Sequence, residues 1–189
     1  MKPEQPLLWC FGDSNTYGFD PTVWYGGRFA RPWPVLLGER TGCTVRNDGE
    51  NGRRIPRGEE ALRRFREESQ GRASALLIVQ LGVNDLLNGA TAEETAKWME
   101  ALLTASAAPK KLLIAPPPLK RGTWVPTDAL VAESMELTHQ YRLLSKRLTI
   151  PFADAGEWDI ELTFDGVHFT ERGHEHFARG AADAVRNQI

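Results

Sequence analysis

Five residues, spread from one end of the chain to the other, have the groups that an acyl-transfer site needs. Ser14 offers a hydroxyl nucleophile, and His168 is a base that could accept its proton during attack. Asp165, three residues before His168, could fix the imidazole tautomer and stabilise the imidazolium. The backbone N–H groups of Ser14 and Gly49 and the side-chain amide of Asn84 could donate to the oxyanion of a tetrahedral intermediate. Together these residues predict chemistry on an acyl group.

The four short motifs that contain these residues each have a structural explanation when taken alone. Asp, Ser and Asn are favoured at helix N-caps, Asp-Gly is a turn signal, and a single histidine is more often structural than catalytic. These explanations do not account for the order of the motifs or for their positions after predicted strands. The motifs are Gly12-Asp13-Ser14-Asn15, Asn47-Asp48-Gly49, Gly82-Val83-Asn84-Asp85 and Asp165-Gly166-Val167-His168.

Short apolar runs alternate with amphipathic segments along the chain, and this pattern predicts an α/β fold with helices on both faces of a mostly parallel sheet. In such folds, functional residues gather at the carboxyl ends of the strands, which is where all four motifs fall. Asp13 and Asp85 are interpreted as structural residues beside the site. The predicted strands are 7–11, 43–47, 75–81, 111–115 and 150–153, and the longest predicted helices are 128–148 and 171–187.

Length and charge set the class of protein. A chain of 189 residues with 41% hydrophobic side chains suits one domain, and we expect it to span 1–189. A formal net charge of −2 gives no large field for nucleic acid or an anionic membrane surface, so we expect neither as a partner. The first residues lack the apolar run of a secretory signal, and no later stretch reaches the ~20 apolar residues that span a bilayer. We therefore expect a cytoplasmic protein.

The cysteines and histidines do not indicate a metal or a disulfide. Cys10 and Cys43 both lie in apolar, strand-like segments, where buried free thiols are the commoner state. His174 and His176 are two residues apart, so on a helix their side chains point about 200° apart, and no cluster of Cys or carboxylate residues supplies a third ligand. We expect no metal and no cofactor.

Taken together, the motifs resemble those of the SGNH, or GDSL-type, hydrolases, a family named for four motif residues in this chain order. The resemblance runs from Ser14 to His168 and covers nearly the whole chain; one departure is Asn15, where the name-giving motif has Leu. It implies a three-layer α/β/α flavodoxin-like fold with a five-stranded parallel sheet of order 2-1-3-4-5. It also implies cofactor-free hydrolysis of carboxylic esters or thioesters, and assigns the four motif roles to Ser14, Gly49, Asn84 and His168.

The substrate is predicted less sharply than the chemistry. Five aromatic residues lie in segments that could border the site, and aromatic rings cover acyl chains and sugar rings alike. The loop after Asn84 is short, which leaves little material for a deep lid and favours a shallow site for short acyl groups such as acetyl. The small-molecule ester substrate stays unnamed. The aromatic residues are Trp24, Tyr25, Trp33, Trp124 and Trp158.

Four alternatives remain open at this point. An acyltransferase would use the same residues with an alcohol in place of water, and a thioesterase or lysophospholipase would share the site. A noncatalytic flavodoxin-like module would cradle a phosphate at residues 12–18, and a sugar-binding protein would retain the site as a relic. The phosphate-binding alternative leaves Asn84, Asp165 and His168 without a role.

Overall fold

A computed structural model describes residues 7–72, 75–186 and 188 of the protein. Its centre is a parallel sheet of five strands. In chain order these are β1 (Leu7–Gly12), β4 (Thr44–Gly49), β5 (Leu76–Gln80), β6 (Lys110–Ala115) and β7 (Phe152–Asp154). Their order across the sheet is β4-β1-β5-β6-β7, with every pair parallel, which is the predicted 2-1-3-4-5 order.

Within the described ranges, seven α-helices surround or extend from this sheet. The short helix α1 follows β1 directly, and α4 follows β5 in the same way, so each begins at the carboxyl end of a strand. The helices are α1 (Ser14–Tyr17), α2 (Trp33–Thr41), α3 (Glu59–Gln70), α4 (Val83–Leu87), α5 (Ala92–Ala105), α6 (Asp128–Leu148) and α7 (Glu171–Arg186). A 3-10 turn (Ala155–Glu157) follows β7, and a small hairpin, β2 (Phe19–Asp20) with β3 (Gly27–Arg28), follows α1.

The two faces of the sheet have separate hydrophobic cores because successive strand residues point to opposite sides. In β1, Trp9 and Phe11 face a core that includes Phe65 of α3 and also receives α5 and α6. Leu8 and Cys10 face the opposite core, which α2 and α7 cover. The result is the three-layer α/β/α arrangement predicted from the sequence.

Most element boundaries agree with the predictions, and the differences have local causes. Helix α6 has the predicted bounds, whereas β1 and β4 each run further than predicted, to a glycine that pairs in register, Gly12 with Gly49. The β2–β3 hairpin was not predicted because two-residue strands are too short to show periodicity. Helix α7 ends at Arg186, and Asn187, the predicted last residue, lies outside the described residues.

Two further observations concern the cysteines and the membrane. Cys10 and Cys43 are both buried and free, as expected, and burial raises the pKa of the Cys10 thiol far above its usual range. Among the residues that the structure describes, no helix is both long and apolar enough to cross a bilayer.

Candidate active site

Three of the predicted residues meet at the carboxyl end of the sheet. Ser14 is the first residue of α1, directly after β1, and the Asp13 side chain caps this helix by accepting the Asn15 N–H at 2.9 Å. His168 lies in the loop before α7. Its Nε2 is 2.9 Å from Ser14 Oγ, and its Nδ1 is 2.6 Å from Asp165 Oδ2. Two ends of the chain, 154 residues apart, thus form one hydrogen-bonded row.

The positions of the protons in this row of hydrogen bonds follow from which of its groups can act as donors. Burial raises the pKa of Asp165, but the hydrogen bonds from the His168 ring and from the N–H groups of His168 and Val167 outweigh burial and hold that pKa well below its usual range. An ionised carboxylate only accepts hydrogen bonds, so the proton of the 2.6 Å contact belongs to His168 Nδ1. Nε2 then carries a lone pair toward the Ser14 hydroxyl, as a general base requires.

The Asn84 side chain is fixed at the edge of the same site. Asn84 is the second residue of α4, and its Nδ2 donates to the carbonyl oxygen of Arg53 at 3.0 Å. An amide nitrogen carries two N–H groups, so this bond holds the group and leaves one donor for another acceptor. Asn84 lines the same cavity as Ser14 and His168.

The N–H of Gly49, which was predicted to be an oxyanion donor, already has a partner within the protein. This N–H donates to the side-chain oxygen of Asn47 at 3.0 Å, two residues earlier in β4. A Cβ on Gly49 would lie 2.1 Å from the backbone nitrogen of Tyr17. The close approach that requires glycine is therefore to the backbone of α1 and not to a substrate, and this geometry does not fit an oxyanion donor at Gly49.

A second glycine of this region, Gly52, borders the cavity that Ser14 lines. It lies three residues further along than Gly49 and has a positive φ of 75°. Within the described part of the chain, its N–H has no protein acceptor. The sequence signal for this residue is the Asn51-Gly52 pair, a common turn dipeptide, which carries no information on where the N–H points.

The cavity beside Ser14 is small, about 90 Å³. Two aromatic rings border it and also contact the His168 imidazole: the ring centre of Phe19 is 4.8 Å from that of His168, and the ring centre of Trp124 is 5.2 Å from it. The other lining residues are Asn51, Gly52 and Asn84. Phe19 was missed in the sequence because its two-residue strand could not be recognised.

The predicted aromatic residues therefore divide into three groups. Trp124 lines the cavity, as described. Trp33 is fully buried at the start of α2, and Trp158 packs on Phe177 of α7, so both belong to the core. Trp24 and Tyr25 are exposed in the hairpin, with 83% and 95% of their surfaces accessible, and lie outside the lining of the cavity.

The two aspartates interpreted as structural are both buried next to site residues. Burial raises the pKa of Asp13 to about 6, against the effects of the Asn15 hydrogen bond and of nearby positive charge. Burial also raises the pKa of Asp85, whose Oδ2 accepts the Ile55 N–H at 3.0 Å. Neither carboxylate forms a hydrogen bond with His168 in the described structure, in contrast to Asp165.

The histidines of α7 also have partners. His174 Nδ1 accepts the N–H of Trp33 at 3.3 Å, and His176 Nδ1 donates to the carbonyl oxygen of Asp159 at 2.9 Å. Across the described ranges, no group of three or more His, Cys, Asp or Glu residues is arranged to hold a metal ion.

Comparison with known protein families assigns the chain to a family. The model of the GDSL-like lipase/acylhydrolase family matches residues 10–176, which include all four motifs. The chain belongs to the GDSL-like lipase/acylhydrolase family. This membership confirms the resemblance seen in the sequence, and the protein is a carboxylic ester hydrolase.

Solved structures of similar fold cover the hydrolase almost completely. An aryl esterase of M. smegmatis superimposes with a TM-score of 0.82 at 26% identity, covering 97% of this chain and 100% of that one. A carbohydrate acetylesterase family member of Sinorhizobium meliloti has a TM-score of 0.81 at 26% identity, covering 96% and 98%. A comparison with curated protein sequences found no match.

Proposed function

We propose that the hydrolase cleaves short-acyl carboxylic esters, in particular acetyl esters, through an acyl-enzyme on Ser14. The observation that carries this proposal is the hydrogen-bonded row of Ser14, His168 and Asp165 beside a cavity of about 90 Å³. Sites for drug-sized ligands typically measure about 300–1,000 Å³, so this space suits an acyl group of a few atoms. The aryl esterase and the carbohydrate acetylesterase of similar fold support aryl and sugar acetates as substrates to test first.

The reaction would proceed in two halves. As Ser14 Oγ attacks the ester carbonyl, its proton passes to His168 Nε2, and Asp165 stabilises the resulting imidazolium. When the tetrahedral intermediate collapses, the bond to the leaving oxygen breaks and His168 gives its proton to the departing alcohol. Water, deprotonated by His168, then attacks the acyl-enzyme and releases the acid and free Ser14.

The negative charge of the intermediate needs fixed donors. We assign these to the N–H groups of Ser14 and Gly52 and to the free N–H of the Asn84 amide, in place of the predicted donor at Gly49. Gly52 and Asn84 line the cavity together with Ser14, and the carbonyl of Arg53 restrains the Asn84 amide. Preorganised donors stabilise the transition state because they need no reorientation as charge develops.

The test is a series of p-nitrophenyl esters from acetate to octanoate. We expect kcat/KM to fall along the series, since the longer chains cannot enter the cavity, and Ser14→Ala to lower kcat by at least about three powers of ten. Trp124→Ala should relax the preference by widening the cavity, whereas Trp24→Ala, an exposed tryptophan outside its lining, should leave it unchanged. A kcat/KM that rises toward octanoate contradicts the acetyl preference, and an active Ser14→Ala variant contradicts the nucleophile.

A further inference from the structure

The side chain of Asn15 bonds to the backbone on both sides of His168. Its Nδ2 donates to the carbonyl oxygen of Val167 at 3.1 Å, and its Oδ1 accepts the N–H of Phe169 at 2.9 Å. Asn15 is 2% exposed, so water does not compete for these bonds. A carbonyl and an N–H must face the nitrogen and the oxygen of the amide respectively, which also fixes the orientation of the amide.

The histidine and its acid are arranged within one short loop. Asp165 Oδ1 accepts the N–H groups of Val167 and His168 at 2.8 and 2.9 Å, and the Thr163 N–H donates to the His168 carbonyl at 2.7 Å. The contact between Asp165 and the imidazole is therefore set locally. The distance from this loop to the nucleophile has to be fixed by other contacts.

Asn15 supplies the polar contacts that fix this distance. Among the described residues, three hydrogen bonds join α1 to the loop 165–169: the Ser14–His168 contact and the two bonds of Asn15. Two further backbone bonds of the loop lead away from α1, from the Lys120 N–H to the Gly166 carbonyl and from the Trp124 N–H to the Asp165 carbonyl. They join the loop to residues 120–124 and not to the helix that carries Ser14.

We propose that Asn15 is a positioning residue that holds His168 Nε2 at hydrogen-bonding distance from Ser14 Oγ. Its amide takes the place of a strand residue, since it exchanges one donor and one acceptor with the backbone around His168 as a paired strand would. Leucine, which the name-giving motif has at this position, has a similar size but can make neither bond. The inference rests on the proposed reaction of Ser14.

The test compares Asn15→Leu and Asn15→Ala with the wild-type protein. A displacement of the base by about 1 Å can cost about a hundredfold in rate, so we expect kcat for p-nitrophenyl acetate to fall about thirty- to a hundredfold with KM within threefold. The rate at which a fluorophosphonate probe labels Ser14 should fall in parallel. The downfield proton resonance of the His168–Asp165 bond should persist, because that bond is local to the loop.

Ser69→Ala is the matched control. The Ser69 hydroxyl is also fully buried, donates to the Arg66 carbonyl and accepts the Ala107 N–H, both at 2.8 Å, at the opposite end of the strands. The melting temperature of Ser69→Ala should fall by about as much as that of the Asn15 variants, while its kcat stays within twofold of the wild-type value.

The proposal is overturned if kcat stays within threefold of the wild-type value in both Asn15 variants. Loss of the downfield resonance, or failure of both variants to fold, also overturns it. A wild-type protein that labels on Ser14 but hydrolyses none of the esters contradicts the proposed substrate instead, and the labelling rates of the variants still decide the role of Asn15.

Discussion

At the scale of single residues, the proposed reaction depends on donors that are held in place before a substrate binds. The Asn84 amide is the clearest case, because one N–H is held by the Arg53 carbonyl and the residue lines the cavity. Ordinary side-chain substitutions leave a backbone N–H in place, so among the proposed donors Asn84 is the one that can be tested directly.

Removal of this amide should lower turnover more than binding. Loss of one oxyanion donor costs about 3–4 kcal/mol of transition-state stabilisation, so we expect Asn84→Ala to reduce kcat by two to three powers of ten with a small change in KM. Asn88→Ala is a matched control, since the Asn88 amide also bonds a backbone carbonyl, that of Asn84, at the end of the same helix. Equal rates in the two variants, measured with p-nitrophenyl acetate, would show that Asn84 is not a donor in the transition state.

At the scale of elements, the loop between β4 and α3 is tied to two strands and to α4. The Arg53 guanidinium donates to the carbonyl oxygens of Gly12 and Asp48, at the ends of β1 and β4, and lies 4.2 Å from the ring centre of Phe11. Asp85 of α4 accepts the Ile55 N–H of the same loop. Because this loop carries Gly52 and the carbonyl that holds Asn84, its anchors also position these two residues.

The role of Asp85 as an anchor predicts a loss of stability together with activity. Asp85→Ala leaves the buried Ile55 N–H without an acceptor, which costs about 1–3 kcal/mol. Asp85→Asn retains an acceptor and should lose less of the free energy of unfolding, which urea titration measures, and less kcat. An Asp85→Ala variant that is inactive but as stable as wild type would instead place this carboxylate in the chemistry.

At the scale of the whole molecule, two buried groups give stability opposite dependences on pH. Burial lowers the pKa of His174 from 6.5 to about 3, so its contribution is complete above pH 6.5 and is lost as pH falls toward about 3. Burial raises the pKa of Asp13 from 3.8 to about 6, so its contribution is complete below pH 3.8 and is lost as pH rises through about 6.

Substitutions of His174 and of Asp13 should therefore have opposite effects on how the free energy of unfolding changes with pH. Each pH unit below the ordinary pKa of histidine lowers the free energy of unfolding of the wild-type protein by about 1.4 kcal/mol. Between pH 7.5 and 5, the wild-type protein should therefore lose about 2 kcal/mol more of this free energy than His174→Gln. As pH rises from 5 to 7.5, the free energy of unfolding of Asp13→Asn should increase by about 1 kcal/mol relative to that of the wild-type protein. Urea unfolding at several pH values measures both slopes, and parallel profiles for all three proteins would contradict the assignments.

The sequence by itself determined which residue types come together and at which edge of the sheet. Apolar runs of strand length predicted the parallel sheet, and Ser14, Asn84 and His168 each follow a strand whose carboxyl end must lie at the same edge. Asp165 and His168 are three residues apart in one loop, so their contact could be predicted from local spacing alone. These predictions succeeded because they depend on the period of burial and on chain order.

Only the tertiary structure decided which backbone groups face the cavity and which side chains fix the site. Gly49 and Gly52 are indistinguishable as two glycines three residues apart, but the N–H of Gly49, the last residue of β4, is held by Asn47, whereas Gly52 lines the cavity. The two bonds of Asn15 join positions more than 150 residues apart. The direction of an N–H and the partner of a buried amide depend on backbone angles and on distant segments, and neither leaves a periodic signal in the chain.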